Sequence, residues 1–485
     1  MKASHLSEVL SAWATASGPL HARLASSIKE AIRRGDLPPG TKLPSERALA
    51  KTLAISRTTV LTAYNDLRSS GWLESRAGSG TWVNRATSIN ARAKVRADML
   101  ARSPLLNFLL AEGSGVIDLS VATTRPLTSL SEDAFELPAE ERRWLFEQRD
   151  YMPFGFPALR ERIAARYCKL GVKTRAEQIL ITTGAQQAIS LVTALYVQRG
   201  DPVLTEDPTF FGALEAFRLA GARLAPLEVG VDHIFMQALR NRITTVRPRL
   251  FYVTPTFQNP TGATMGDSSR HRLAELIAEF EIPTIEDETL AEMVLEGNRP
   301  TPVAAFGGGE NIFTIGSLSK LFCAGLRVGW VRTSAAQAAR LARIKSSIDL
   351  GSAVLPQAIG ARLLTRLDEA VERRRVELQQ KRDLVEQLLL ERLPDWTFTH
   401  PCGGLSIWAR LQGADATAFA QLALRRGVAI APGNVFSIAD SYADYVRIPF
   451  LLDAESLKTG MEQLSEAWHE MPRSGLELRI GTTIL

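Results

Sequence analysis

The sequence predicts a multidomain chain of two unequal parts: a small helical head closed by a β-hairpin, then a large α/β body on a mostly parallel sheet. Three observations predict it. Charge is lopsided, with 16 Lys+Arg against 8 Asp+Glu in residues 1–113 (net +8) and 41 against 44 in residues 114–485 (net −3). The first 83 residues carry helical spacing that gives way to two β-prone runs around a Gly-rich tip. From about residue 115, short β-branched runs alternate with amphipathic stretches, the pattern of strands joined by crossover helices.

In the head, Leu24, Ile28 and Ile32 recur at helical spacing, and Gly35 with Pro38-Pro39-Gly40 ends the run. Ser45 suits the N-cap of a second helix bearing Leu49 and Leu53, with Glu46 in its first turn where a negative charge matches the dipole. Ala54-Ile55-Ser56 forms a tight turn into a third helix, about 57–70, whose core-facing stripe is Val60, Tyr64 and Leu67. That arrangement leaves Arg57, Thr58, Thr59 and Thr62 at the exposed start of the third helix, where side chains of a major-groove reader reach base edges and phosphates. The runs around 72–76 and 80–83 read as a wing that brings Arg76 and the tip to the backbone or the minor groove. A helical docking domain with a solvated basic face is the plain alternative. The concentration of positive charge in this part favours a polyanion.

Residues 84–113, rich in Ala, Arg and Ser, read as a linker. As a flexible coil of about 30 residues it would reach roughly 30 Å. At 485 residues, 45% apolar and 22% charged, the chain has material for a small domain and one large core. Cys168, Cys323 and Cys402 are odd in number and lack metal-site spacing, which argues against a disulfide framework or zinc and fits a reducing cytoplasm. No stretch has the apolar length of a signal peptide or a membrane span, so no membrane role is expected. The tail, 472–485, carries no recognisable motif.

The chemistry of the body is concentrated in Ser317-Leu-Ser-Lys320-Leu-Phe-Cys-Ala-Gly-Leu-Arg327-Val-Gly-Trp330, where an amine and a guanidinium stand seven residues apart. An amine forms a Schiff base with an aldehyde cofactor, and a guanidinium fork suits a phosphate dianion, which together point to pyridoxal 5'-phosphate (PLP). Ser317 offers a further phosphate contact. Strands are expected at 178–182, 202–205, 250–253, 283–286 and 311–315, and ligands collect at the C-terminal ends of such strands. Thr183-Gly184-Ala185-Gln186 follows the first and opens a helix whose free N–H groups can hold phosphate. Asn259, in Asn-Pro-Thr-Gly, can donate to the cofactor's phenolate oxygen. Asp287 can pair with the pyridine N–H and keep the ring an electron sink. Each has a bland reading, as a turn former or a solvated charge; the four in chain order, each after an expected strand, favour the cofactor.

Leu37-Pro-Pro-Gly-Thr-Lys-Leu-Pro-Ser-Glu-Arg-Ala-Leu-Ala50, Ser56-Arg-Thr-Thr-Val60 and Gly71-Trp-Leu-Glu-Ser-Arg76 resemble the winged helix-turn-helix of the GntR regulators over about 19–83. The resemblance implies DNA contacts by Arg47, Arg57, Thr58, Thr59 and the stretch around Arg76, Ser79 and Gly80. Asn259-Pro-Thr-Gly262 and Ser-Leu-Ser-Lys320 with Gly-Leu-Arg-Val-Gly-Trp330 resemble fold-type I PLP enzymes of the class I and II aminotransferase kind, over about 115–470. That implies a PLP-transferase fold with a smaller α+β subdomain, with Phe210 stacked on the cofactor ring and Arg447 at the α-carboxylate of a substrate. Two departures stand out: Phe210 lies where the family usually has Tyr, and Asp287 is followed by Glu288, Thr289 and Leu290 rather than by a nearby Tyr.

The whole, with domains at 1–83 and 114–471, resembles the MocR family of bacterial regulators. It implies a PLP-dependent transcription factor on a double-stranded DNA operator, responding to PLP or a small amino compound, commonly as a head-to-tail homodimer. The alternative is a working PLP-dependent aminotransferase with an accessory head. Sequence alone leaves turnover open.

Overall fold

The computed structural model describes residues 1–10, 13, 18–34, 36–76, 80–84, 115–127, 130, 132–147, 151–230, 236–439 and 441–471. Ser79, nearly all of the expected linker and the tail lie outside the described residues.

The head holds α1 (Ala3–Val9), α2 (Leu20–Arg34), α3 (Glu46–Thr52) and α4 (Arg57–Ser69), then the antiparallel hairpin β1 (Leu73–Arg76) and β2 (Gly80–Val83). The expected stripes meet in one core: Leu24, Ile28, Ile32, Leu49, Leu53, Val60, Tyr64 and Leu67 are each at most 2% exposed. Burying each is worth roughly 1.5–3 kcal/mol, which is what holds helices too short to persist alone. Ser45 Oγ accepts from Ala48 N at 3.3 Å and Ser56 Oγ from Thr59 N at 3.0 Å, capping α3 and α4. The Tyr64 hydroxyl donates to Pro44 O at 3.1 Å, and Arg68 Nη2 to Thr81 Oγ1 at 2.8 Å, tying α4 to the segment before α3 and to the wing. Leu6, Val9, Leu10 and Trp13 also enter this core. The sequence reading began at α2 and missed them, because α1 has only seven residues, too few for a period to show.

The body opens with β3 (Ile117–Leu119) and contains β4 (Ile179–Thr182), β5 (Pro202–Asp207), β6 (Arg223–Glu228), β7 (Leu250–Val253), β8 (Thr284–Asp287), β9 (Ile312–Ser317) and β10 (Gly329–Arg332). β4 to β10 form a seven-stranded sheet in the order β4-β10-β9-β8-β7-β5-β6, in which only β10 runs antiparallel to its neighbours. The five expected strands are all present. The sheet also has β6, an edge strand, where a proline such as Pro226 is tolerated, and β10, inside the Lys–Arg motif.

The body's helices are α5 (Ala139–Glu147), α6 (Pro157–Lys169), α7 (Ala185–Tyr196), α8 (Phe211–Leu219), α9 (Met236–Val246), α10 (Asp267–Phe280), α11 (Ala335–Asp349), α12 (Val354–Leu363), α13 (Leu367–Arg392), α14 (Ala416–Arg425) and α15 (Ala454–Glu470). Alternate strand residues serve opposite faces of the sheet. Leu250 and Tyr252 pack with Ile189, Phe217 and Leu341 from α7, α8 and α11, while Phe251 and Val253 pack with Leu239 and Leu273 from α9 and α10. A second sheet, β11 (Trp396–Phe398), β12 (Ser406–Leu411), β14 (Tyr445–Pro449), β13 (Val428–Pro432) and β3 in that order, buries one face against α13, α14 and α15.

The head rests on α14. Arg425 Nη1 donates to Leu53 O at 2.9 Å and Nη2 to Ala54 O at 3.1 Å, the two carbonyls of the helix-turn-helix turn. Trp13 Nε1 donates to Gln421 Oε1 at 2.7 Å, and the Arg425 guanidinium lies 5.9 Å from the Trp13 ring centroid. Leu424 packs against the head's core, and Ala54 against the body's. Among the described residues no helix is long and apolar enough to cross a membrane.

Candidate functional site

Lys320 follows β9 in a turn, partly buried, and its Nζ donates to Ala122 O at 2.7 Å. Burial, reinforced by the positive charge of Arg447 and more weakly Arg327, pushes its amine down to about 8, against the opposing pull of Asp287. A neutral amine is the nucleophilic form, so this environment favours attack on a carbonyl. Asp287, Arg327 and Arg447 therefore all lie within electrostatic range of the Lys320 amine.

Asp287 ends β8, buried at 5% exposure. Its Oδ2 accepts from the Tyr252 hydroxyl at 2.7 Å and its Oδ1 from Thr289 N at 2.9 Å. Beside it, Glu288 points away to a separate charge cluster: its carboxylate accepts from Thr256 Oγ1 at 2.8 Å and pairs with Arg299 at 3.1 Å. Burial pushes Glu288 up to about 7 despite Arg299.

Gly184 caps α7 at φ +113°, and a Cβ there would stand 3.1 Å from Arg327 Nη2. The close approach and the positive φ both call for glycine. It sets the free N–H groups that open α7, at Ala185 and Gln186, beside an exposed guanidinium, the geometry an anion needs. Arg327 also sits at positive φ (+51°) and donates from Nη2 to Thr183 O at 2.7 Å. The Ser317 hydroxyl, at the end of β9, donates to Val328 O at 3.2 Å and accepts from Ser319 N, while Ser319 Oγ is buried with no hydrogen-bond partner.

Phe210 precedes α8, its ring folded over Gly212, where a Cβ would lie 2.4 Å from the ring. Gln186 Nε2 donates to Gly212 O at 2.6 Å, so Gln186 and Phe210 share that corner. Arg447, on β14 and 2% exposed, donates from Nη1 to Asn259 Oδ1 at 3.3 Å and from Nη2 to Ser120 O. Its guanidinium carbon is 4.8 Å from the Phe436 ring centroid, and its Nε is buried without a partner. Burial lowers this group to about 10 against the charge of Asp118. With Oδ1 of Asn259 turned to Arg447, the other prong of the amide is its nitrogen, the donor a phenolate oxygen requires.

The sequence reading did not include Tyr252, Ser319, Phe436 or the carbonyls of Ser120 and Ala122. Tyr252 sat inside a run read only as a buried strand; the backbone carbonyls carry no side-chain signal at all.

Residues 147–464 match the family described as aminotransferase class I and II. The chain belongs to that family. Residues 20–83 of this aminotransferase relative match the bacterial regulatory proteins of the gntR family, so the head is a DNA-binding GntR module and the fusion has the MocR-type architecture. The HTH-type transcriptional regulator YdfD of Bacillus subtilis, itself uncharacterized, is 28% identical over 92% of this chain and 95% of its own. The probable rhizopine catabolism regulatory protein MocR of Rhizobium meliloti is 29% identical over 82% of each. Among solved structures, LysN, the alpha-aminoadipate aminotransferase of Thermus thermophilus complexed with N-(5'-phosphopyridoxyl)-L-leucine, is 28% identical, with TM-score 0.68 over 77% of this chain and 96% of that one. The cofactor of this aminotransferase-like body is PLP. The pocket fits it by its own features: an amine lowered to about 8, a glycine cradle under a guanidinium, a buried carboxylate, and unpartnered polar atoms on Arg447 and Ser319.

In the head, Arg47, Arg57 and Thr58 are exposed, and Gly80 is exposed at the start of β2. Thr59 is only partly exposed, and its hydroxyl is 2.8 Å from Ser56 Oγ, in the cap of α4. Arg76 ends β1 opposite Gly80.

Proposed function

We propose that this protein is a cytoplasmic transcriptional regulator that reads a double-stranded operator with its head and senses PLP, or a small amino compound reacting with it, in its body. In this reading Lys320 holds the cofactor, Asp287 faces its ring nitrogen, Asn259 its phenolate oxygen and Phe210 its ring. Arg327, Ser317 and the Gly184-Ala185-Gln186 turn take the phosphate. When bound, PLP supplies an aldehyde carbon for amines and an electron-withdrawing ring. Arg447, buried and already directed at oxygen acceptors, takes the effector's carboxylate. Arg47, Arg57, Thr58, Thr59, Arg76, Ser79 and Gly80 meet DNA.

The observation that carries the sensing part is the seat on α14. The body grips the two turn carbonyls that set the angle between α3 and α4, while Arg57 and Thr58 stay exposed. A ligand that favours one position of α14 then changes operator affinity by its differential affinity for the two positions, and by no more. We infer a homodimer, since paired recognition helices read two half-sites. In a head-to-tail dimer the α14 seat is the surface an exchanged head would occupy.

The test titrates amino compounds against the cofactor's visible absorbance and, in parallel, against operator binding. At least one compound that changes the absorbance is expected to change operator affinity, by a factor of roughly 5–150. Sustained transamination without selective DNA binding would instead favour an aminotransferase with an accessory head. Lys320→Ala is expected to bind DNA and to lose the ligand response.

A further inference from the structure

We propose that Tyr252 is a positioning residue for Asp287, its buried hydroxyl fixing the carboxylate toward the ring nitrogen of PLP. The inference rests on the proposed role of Asp287 and adds to it a residue on a different strand.

β7 and β8 run parallel with Tyr252 opposite Ile285, so Asp287, two residues further on, shares its face of the sheet. The Tyr252 hydroxyl spans that offset and donates to Oδ2 at 2.7 Å. The ring is fully buried and held edge-on by Phe217, with centroids 5.8 Å apart, which limits where the hydroxyl can point. Oδ1 is taken by Thr289 N at 2.9 Å. Each oxygen of Asp287 thus has one fixed donor from the protein and keeps a lone pair for a third.

The neighbouring carboxylate shows why such fixing is needed. Glu206 on β5 is fully buried, accepting from Thr254 N at 3.1 Å and Gln258 Nε2 at 3.2 Å. Burial, with the charge of Asp287 in addition, pushes Glu206 well above the usual carboxylate range. Burial likewise pushes the Tyr252 phenol well up, so it remains a donor. Burial thus favours the neutral form of Glu206, whereas Asp287 is held by one donor on each oxygen.

The consequence is chemical. A proton between a carboxylate and a pyridine nitrogen moves toward whichever is more basic. A hydroxyl donating to the carboxylate lowers its basicity and leaves the proton, and the positive charge, on the ring. That charge lowers the proton affinity of the nitrogen joining Lys320 to the cofactor. Removing only the hydroxyl reverses both effects.

The experiment uses the full-length protein loaded with PLP and follows its visible absorbance against pH for the native chain, Tyr252→Phe and Asp287→Asn. Tyr252→Phe is expected to raise the titration midpoint by about 0.5–1 pH unit, in the same direction as Asp287→Asn and by less. Tyr252→Leu, which also lacks the hydroxyl, is to move the same way, so the test does not hang on one variant's folding. Operator binding by the head reports that each variant is folded. A tyrosine that serves only as core would lower stability and leave the midpoint in place; that result, or a downward shift, overturns the inference. A native chain that takes up no colour overturns the cofactor reading beneath it, and Asp287→Asn with an unmoved midpoint overturns the role of Asp287; either outcome is distinct from a silent Tyr252→Phe.

Discussion

At the scale of single residues, the pocket works by making charges expensive. Lys320 is depressed to about 8 because an ammonium there is poorly solvated and faces two guanidinium groups, with only Asp287 to offset them. The sign follows directly. The folded value lies below that of a free lysine, so the unfolded chain binds the proton more tightly, and this group's contribution to stability rises with pH from about 8 toward the ordinary lysine value. The neutral amine is also the form that captures an aldehyde. The rate of PLP uptake by the cofactor-free protein is therefore expected to rise about tenfold per pH unit below about 8 and then level off. Stopped-flow absorbance measures it, and a rate that is flat across that range would contradict the depressed amine. Lys320, Asp287, Asn259 and Arg327, the residues proposed to hold PLP, could be singled out in the sequence because each has a side-chain chemistry that PLP needs. Tyr252 could not: inside an apolar strand, a tyrosine looks like any large core residue until the register places its hydroxyl against a carboxylate.

Elements of secondary structure were largely legible where a strong period or a cap marked them. α2, α3 and α4 were readable because Leu24, Ile28, Leu49, Val60 and Leu67 repeat on one face, and because Ser45 and Ser56 stand at the caps. Ser56 also shapes function, because its hydroxyl meets both the Thr59 N–H and the Thr59 hydroxyl at the start of the recognition helix. Ser56→Ala is expected to cost the head about 1 kcal/mol, seen as a lower thermal midpoint, and to weaken operator binding by fraying the turn that carries Arg57 and Thr58. Unchanged operator affinity in a destabilised variant would separate the cap from DNA reading. β6 and β10 escaped prediction for different reasons: an edge strand with a proline has little β signal, and Gly329–Arg332 was read for its motif rather than for its ladder.

At the scale of the whole molecule, the contact between head and body decides whether two functions are merely joined or coupled. Arg425 supplies charge-assisted hydrogen bonds to Leu53 O and Ala54 O from a partly buried position, a contribution of roughly 1.5–3 kcal/mol for such bonds. Arg425→Ala is expected to leave the cofactor absorbance unchanged, to speed hydrogen exchange across Leu49, Leu53 and Ala54, and to shrink the effect of ligand on operator affinity. An unaltered ligand effect would place the coupling elsewhere. The sequence by itself determined the two modules, their order and the cofactor class, and offered the residues proposed to bind it, because periodicity, caps and reactive side chains are local properties of a chain. Only the tertiary structure decided that Arg425 holds the helix-turn-helix turn, that Tyr252 addresses Asp287 and that backbone carbonyls of Ser120 and Ala122 line the pocket. Those partners lie far apart in the chain and meet only when sheet register and domain packing bring them within hydrogen-bonding distance.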